Sequence, residues 1–221
     1  MDLSTCKRPA SSHGNDGVNI AGYINSEKGV GESARCDLRA LEAVGIPYRL
    51  RNFKDGWSEN IEDQYKSFNS RDLYDINLIH VNVDQSHVFA RKQRKLLRGR
   101  YNIASWAWEL PSFPTEWLMR LEPFDEIWVP STFVVEWLSR VVSVPVVRMP
   151  HSINPQPPLD PTISRDHFGI RPESFVFFFI FDFQSLAERK NPLGMIKAFR
   201  QAFHHNEDVT DTDRNLLFST N

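Results

Sequence analysis

A doubly wound α/β fold with a mostly parallel sheet is what this sequence predicts, on three observations. Short apolar runs rich in Val and Ile alternate with segments of helical period across residues 18–150. The run at 76–82 is almost continuously apolar, as a strand buried on both faces must be. Gly45 and Pro47 stop the first helical segment with the usual C-terminal punctuation.

The elements follow in order. Residues 18–24 read as the first strand, and the helix after it carries Ala34, Leu38 and Leu41 on one face. The second strand is read at 48–53 and the central one at 76–82. A basic helix from about Ser86 to Arg98 leads to a fourth strand at 101–108. Ser112 and Pro114 start a helix bearing Trp117, Leu118 and Leu121. The fifth strand is 126–129, after which Ser131 caps a helix whose Phe133, Val134, Trp137, Leu138 and Val141 are expected to face inward. A sixth strand is read at 144–149.

Pro150, Pro155, Pro157, Pro158 and Pro161 then crowd a stretch that cannot join a sheet interior, so residues 151–165 read as a linker between domains. Residues 166–221 begin a second α/β domain with a strand at 175–181 and a helix at 193–203, and this domain is expected to be incomplete. Residues 1–17 are polar and read as a disordered tail.

Composition bounds the function. A chain of 221 residues that is 41% hydrophobic can bury a core. Its 26 basic and 28 acidic residues leave a net charge of −2, which excludes a global field for nucleic acid. Cys6 and Cys36 form neither a disulfide framework nor a Cys-x-x-Cys metal motif and are expected as free thiols. Nothing approaches about 18 consecutive apolar residues, and the location expected is the cytoplasm.

Between the first strand and its helix lies Glu27-Lys28-Gly29-Val30-Gly31-Glu32-Ser33-Ala34-Arg35. Glycines allow a sharp turn and close approach by a ligand, and the helix start offers unpaired N–H groups and a positive dipole end to a phosphate, with Lys28 and Arg35 able to add charge. A tight strand-to-helix turn alone accounts equally well for two glycines. Dinucleotide binding fits poorly, because Ala34 stands where the third glycine belongs and only Asp55 supplies an acid near the end of the second strand. In the second domain, Arg189 and Lys190 before Asn191-Pro192 form a fork and a mobile point charge at a helix start, a diphosphate clamp or a solvated pair. His80, Asp84 and His87 lack a third His or Cys, so no metal is expected.

Several motifs in sequence order resemble glycosyltransferase family 4, enzymes of the GT-B fold. They are the Gly29–Arg35 loop, Trp108-Glu109-Leu110-Pro111 with Phe113-Pro114 and Trp117, 125–131, and Arg189-Lys190-Asn191-Pro192 with Ala198-Phe199. The resemblance runs over nearly the whole chain from Val18. It implies a Rossmann-like acceptor domain at 18–150 and the beginning of a nucleotide-sugar-binding domain at 166–221. It also implies transfer of a sugar from a nucleotide-activated donor to a glycan or lipid-linked acceptor, with retention and without a metal or other cofactor. By the same resemblance Gly29 and Gly31 would approach the donor phosphates while Arg189 and Lys190 bind the diphosphate, stabilising the leaving group's charge. The family's pair of glutamates separated by seven residues is missing, so the chain alone is expected to be inactive. The alternative is a non-catalytic fragment that pairs with another chain through its unfinished second domain.

Individual residues fill in the cleft. Glu109 is the candidate catalytic acid or base, able to take the acceptor hydroxyl's proton; a local hydrogen bond is the bland alternative. Trp108 and Phe113 are candidates to stack on a sugar, whereas Trp106 and Trp117 read as core. His80 and Asn82 end the central strand, where ligands of open α/β sheets gather, and Ser131 ends the fifth. Arg91, Lys92, Arg94, Lys95, Arg98 and the adjacent Arg100 make a solvated face or a contact with anionic lipid headgroups at the inner membrane face.

Overall fold

A computed structural model describes residues 16–54, 56, 58–65, 73–108, 110, 112–153, 160, 163–172, 175–181 and 187–203, and the backbone of 214–220. The chain divides into two compact units, Met1–Pro155 and Gln156–Asn221.

The first unit is an α/β layer structure built on a six-stranded parallel, Rossmann-like sheet. Its strands are β1 (Val18–Gly22), β2 (Tyr48–Asn52), β3 (Ile76–His80), β4 (Tyr101–Ser105), β5 (Glu126–Val129) and β6 (Val146–Arg148), in the spatial order β2-β1-β3-β4-β5-β6. Its helices are α1 (Gly29–Ala43), α2 (Val83–Lys92), α3 (Arg94–Leu97), α4 (Thr132–Leu138) and a 3-10 helix, Thr115–Leu121. Right-handed crossovers put α1 on one face, because β1 steps left to β2, and the later helices on the other, because β3 to β6 step right.

The two cores record this split. Ile20, Leu78, Ile103 and Leu50 pack with Ala34 and Leu38 of α1. Ala21, Ile79, Ala104 and Ile127, one residue out of phase along the strands, pack with Phe89, Leu96, Leu97, Val134 and Leu138. That alternation is the period of two that a strand imposes.

At the amino ends of the three central strands the second face is polar. Asn19, Asn77 and Asn102 are register neighbours and all are buried. Asn19 Nδ2 donates to Asn77 Oδ1 at 2.8 Å, and Asn77 Nδ2 donates to Asn102 Oδ1 at 2.6 Å and to Leu96 O at 3.0 Å. Asn102 Nδ2 reaches Leu97 O at 3.1 Å, and Asn19 closes the other end on the backbone of Tyr74. The ladder therefore satisfies itself while taking two C-terminal carbonyls of α3 that would otherwise lack partners.

Several expectations are corrected. The basic helix is two helices, broken at Gln93 (φ −111°, ψ 28°), where α3 turns to bring Leu96 and Leu97 onto the ladder. Strand four ends at Ser105 because Trp106 folds inward and donates to Val81 O at 3.0 Å, and Ala107 N is taken by Asn82 Oδ1. The segment after Pro114 is a 3-10 helix, and Phe133 (53% exposed) and Val141 (48%) face outward, leaving Val134 and Leu138 to anchor α4. Cys36 is a buried free thiol, while Cys6 and Asp55 lie outside the described residues.

The second unit contains a 3-10 turn (Asp166–Phe168), β7 (Phe175–Phe181), α5 (Ala187–Lys190), α6 (Pro192–Ala202) and β8 (Arg214–Thr220), which runs parallel to β7. Phe177 packs edge-on against Phe199 of α6 at 5.6 Å. Among the described residues no helix is long and apolar enough to cross a membrane.

Two tests follow from the ladder and the rim beside it. Asn77→Ala strands the Asn19 and Asn102 amides and Leu96 O, so denaturant unfolding should report a loss of about 3 kcal/mol; a loss below about 1 kcal/mol would show the ladder to be dispensable. At the rim, the hydrogen bond to Glu126, then burial, pushes the Tyr101 hydroxyl up to about 12. The folded state thus holds this proton more tightly than the unfolded chain does, so the stability it lends is whole below about pH 10 and is lost as pH climbs toward 12. Absorbance titration at alkaline pH should show Glu126→Gln bringing one tyrosine back toward the ordinary range.

Candidate functional site

The sheet order reverses between β1 and β3, and ligands of open α/β sheets bind outside the strands' carboxyl ends at such a point. Here those ends are Gly22 and His80, which are register partners. Gly22 has φ +152°, and a Cβ on it would stand 2.4 Å from His80 O, so only glycine lets the two strand ends close up. His80 beneath it is fully buried, with Nε2 3.2 Å from Asp37 Oδ2 of α1 but no hydrogen bond between them. Nδ1 has no partner among the described residues.

The β1–α1 loop is built from within. Arg35 is 3% exposed, and its Nη1 donates to Ile24 O and Ser26 O, each at 2.8 Å, while Nε meets Glu32 Oε2 at 3.0 Å. Its guanidinium is spent on loop carbonyls and cannot also serve a ligand, which corrects the expectation that it adds charge there. Burial tends to raise the Glu32 carboxyl, but hydrogen bonds from Arg39 and Arg35 overcome it and hold the group below its usual range. Glu27 is held low mainly by its own backbone N–H, then by the amides of Glu59 and Asn60, which tie a second segment to the rim.

The two loop glycines differ. A Cβ on Gly31 would lie 2.3 Å from Ser26 O and 2.6 Å from Tyr23 O, so its own loop uses that space. Nothing lies within 4 Å of the corresponding position at exposed Gly29. Lys28, the N-cap, gives the helix no side-chain hydrogen bond, which leaves the first-turn amides of a fifteen-residue helix to some other acceptor.

One neighbour of this helix start was illegible in the sequence. After β6 the chain crosses to α1, where Ser152 Oγ donates to Cys36 O at 2.7 Å and His151 Nδ1 lies 3.2 Å from Ser33 Oγ. The contact spans 118 positions and has no local signal. Cys36 itself is a poor nucleophile, since burial pushes its thiol up.

The other predicted residues separate by role. Asn82 joins the ends of β3 and β4 through Ala107 N at 3.0 Å. Ser131 caps α4, accepting from Val134 N at 3.4 Å. Trp108 and Phe113 are half-buried in a cluster with Trp117 and Trp137, at centroid distances of 5.5 to 6.5 Å. Glu109 lies outside the described residues. Arg189 and Lys190, in the second unit, end α5 just before Asn191, whose αL backbone and side chain cap α6 through Gly194 N at 3.1 Å. Among the described residues no three His, Cys, Asp or Glu side chains gather closely enough to hold a metal ion.

In comparisons with known proteins, no family model matches the chain and no curated protein matches it.

The glycine contrast is measurable. Gly31→Ala forces a methyl onto backbone oxygens and should lower stability by about 2–3 kcal/mol. Gly29→Ala should leave the melting temperature unchanged or raise it, because the added methyl meets nothing and alanine favours the helix. Equal losses at both positions would refute this division.

Proposed function

We propose that the chain is a glycosyltransferase-like protein that takes a sugar from a nucleotide-sugar donor to a glycan or lipid-linked acceptor with retention. The observation that carries the reading is the uncapped start of α1 beside the β1/β3 switch point, with an empty space over Gly29. Diphosphate is the chemistry such a start favours: unpaired amides and a positive dipole end in a place where backbone can approach closely. Ser33 and His151 supply polar groups beside it. The motifs shared with glycosyltransferase family 4 support the same class of substrate. In this reading Trp108, Phe113, His80, Asn82 and Ser131 shape the acceptor side, Glu109 manages the acceptor's proton, and Arg189 and Lys190 in the second unit are the diphosphate clamp that the family resemblance implies.

A second reading has its own observation. Along β7 one apolar stretch is exposed among the described residues: Phe175 is 66% exposed, Phe178 60% and Ile180 50%, and neither β7 nor α6 contains a buried residue. A non-catalytic role, in which this stretch pairs with a second copy of the chain, fits that exposure. Sedimentation over a concentration series should then show a dimer that Phe178→Asp dissolves, and a concentration-independent monomer rules it out.

The transfer reading is tested by titrating the whole chain with UDP, GDP and their sugars. Gly29→Ala should weaken diphosphate binding at least about tenfold, roughly 1.4 kcal/mol, without loss of stability, because only a ligand uses the space its methyl fills. Unaltered affinity in that variant, or no binding of any nucleotide by the natural chain, would remove the phosphate cradle from the argument.

A further inference from the structure

At the opposite, amino-terminal edge of the first unit's sheet lies a groove of about 860 Å³. Arg91, Arg94, Lys95 and Arg98 line it from the α2–α3 segment, and Glu122 and Asp125 from the segment that leads into β5. The four cations are exposed, and among the described residues none of their side chains has a hydrogen bond or an ion pair. Arg91 comes from α2, Arg94 and Lys95 from α3 and Arg98 from the extended residue that ends α3, so the break at Gln93 brings side chains of two helices onto one groove.

The neighbouring charges are already in use, which isolates these four. Arg100, also on the groove, donates to Lys95 O, Leu96 O and Tyr74 O at 2.9 to 3.1 Å. Lys92 stands 5.6 Å over the ring of Phe53. The wall is rigid beneath the cations, because Asn77 and Asn102 hold the Leu96 and Leu97 carbonyls. Four like charges on a fixed wall repel one another until an anion joins them, and guanidinium forks suit phosphate oxygens.

The carboxylates on the groove narrow the ligand further. Asp125 Oδ2 already accepts from Asn102 N at 2.8 Å, whereas the Glu122 side chain has no such partner among the described residues. A carboxylate there repels a bare polyphosphate but accepts hydrogen bonds from hydroxyls. We propose that the groove is an anion site for a phosphate carried on a hydroxyl-bearing headgroup, with the phosphate on the arginine side and the hydroxyls toward Glu122. Its volume suits a molecule of that size. The site lies at the edge of the sheet away from the start of α1, so its occupancy is independent of the sugar-transfer reading.

The shared chemistry has two sources, a soluble polyol phosphate and a phospholipid headgroup, and both are tested with the full chain. Calorimetric titration with inositol trisphosphate should show binding that weakens at least about tenfold in Arg94→Gln/Arg98→Gln, as loss of charge-assisted bonds requires, with an unchanged melting temperature. Co-sedimentation with phosphatidylcholine vesicles, with and without phosphatidylinositol, separates the sources. Retention that needs the inositol lipid and is lost in the double variant assigns the headgroup, and soluble binding alone assigns the polyol phosphate. The proposal is overturned if the natural chain binds neither, if the double variant binds as tightly as the natural chain, or if a DNA duplex is held more tightly than either.

Discussion

The buried amide ladder of Asn19, Asn77 and Asn102 fixes what everything else in the first unit depends on, the register of the three central strands. A parallel strand that slips by one residue exchanges its two faces. Here a slip would leave amide groups buried without partners, at a cost of several kcal/mol each in an apolar interior, so the hydrogen bonds enforce the pairing that apolar contacts alone would leave softer. The pairing that sets Asn19 beside Asn77 at one end sets Gly22 beside His80 at the other. The close-up of β1 and β3 at the candidate site is thus specified three residues away, by side chains that never reach it.

At the carboxyl edge the loop spends most of its polar groups on itself. Arg35 takes two loop carbonyls and a carboxylate, and Gly31 is glycine because Ser26 and Tyr23 present oxygens where its Cβ would be. The motif Gly29 to Arg35 therefore contains two different things. Its second half is scaffold that holds the loop in shape, and its first half, an uncapped helix start with open space, is what the scaffold presents. Any attraction for an anion comes from amides and the helix dipole, with Lys28 beside them, and not from the guanidinium that composition alone would nominate.

Much of the fold was legible because strand and helix periods were clean. Ile76, Leu78 and Ile79 mark a central strand whichever way the chain is read, and Ser131 announces α4 through its hydroxyl. The limits of elements were less legible, since they are set by partners far along the chain. Trp106 leaves β4 to reach Val81 O, and α3 breaks from α2 to reach two asparagines that lie 19 and 5 positions away. The asparagines themselves read as interruptions in apolar runs, and only pairing shows them to be one network. The site was half legible: Gly29 and Gly31 look alike in sequence, and their difference lies in which atoms surround them. His151 carried no signal at all, because what matters about it is a crossing from β6 back to α1.

Helix chemistry also sets how much of the basic segment needs a partner outside the chain. Cations in the last turn of a helix offset the negative end of its dipole, and Arg91 and Lys92 occupy that turn of α2. Arg100 satisfies carbonyls at the end of α3. Arg100 is thereby spent on the local backbone and Lys92 on the Phe53 ring, while the dipole offsets only part of the charge of Arg91. Arg94, Lys95 and Arg98 lack even that: they stand on or just past a helix of four residues whose last carbonyls already belong to Asn77, Asn102 and Arg100. In a chain with a net charge of −2, such a concentration of uncompensated positive charge is a local feature of one edge and not a consequence of overall composition. The surplus that capping and dipole leave over is what an external anion would neutralise.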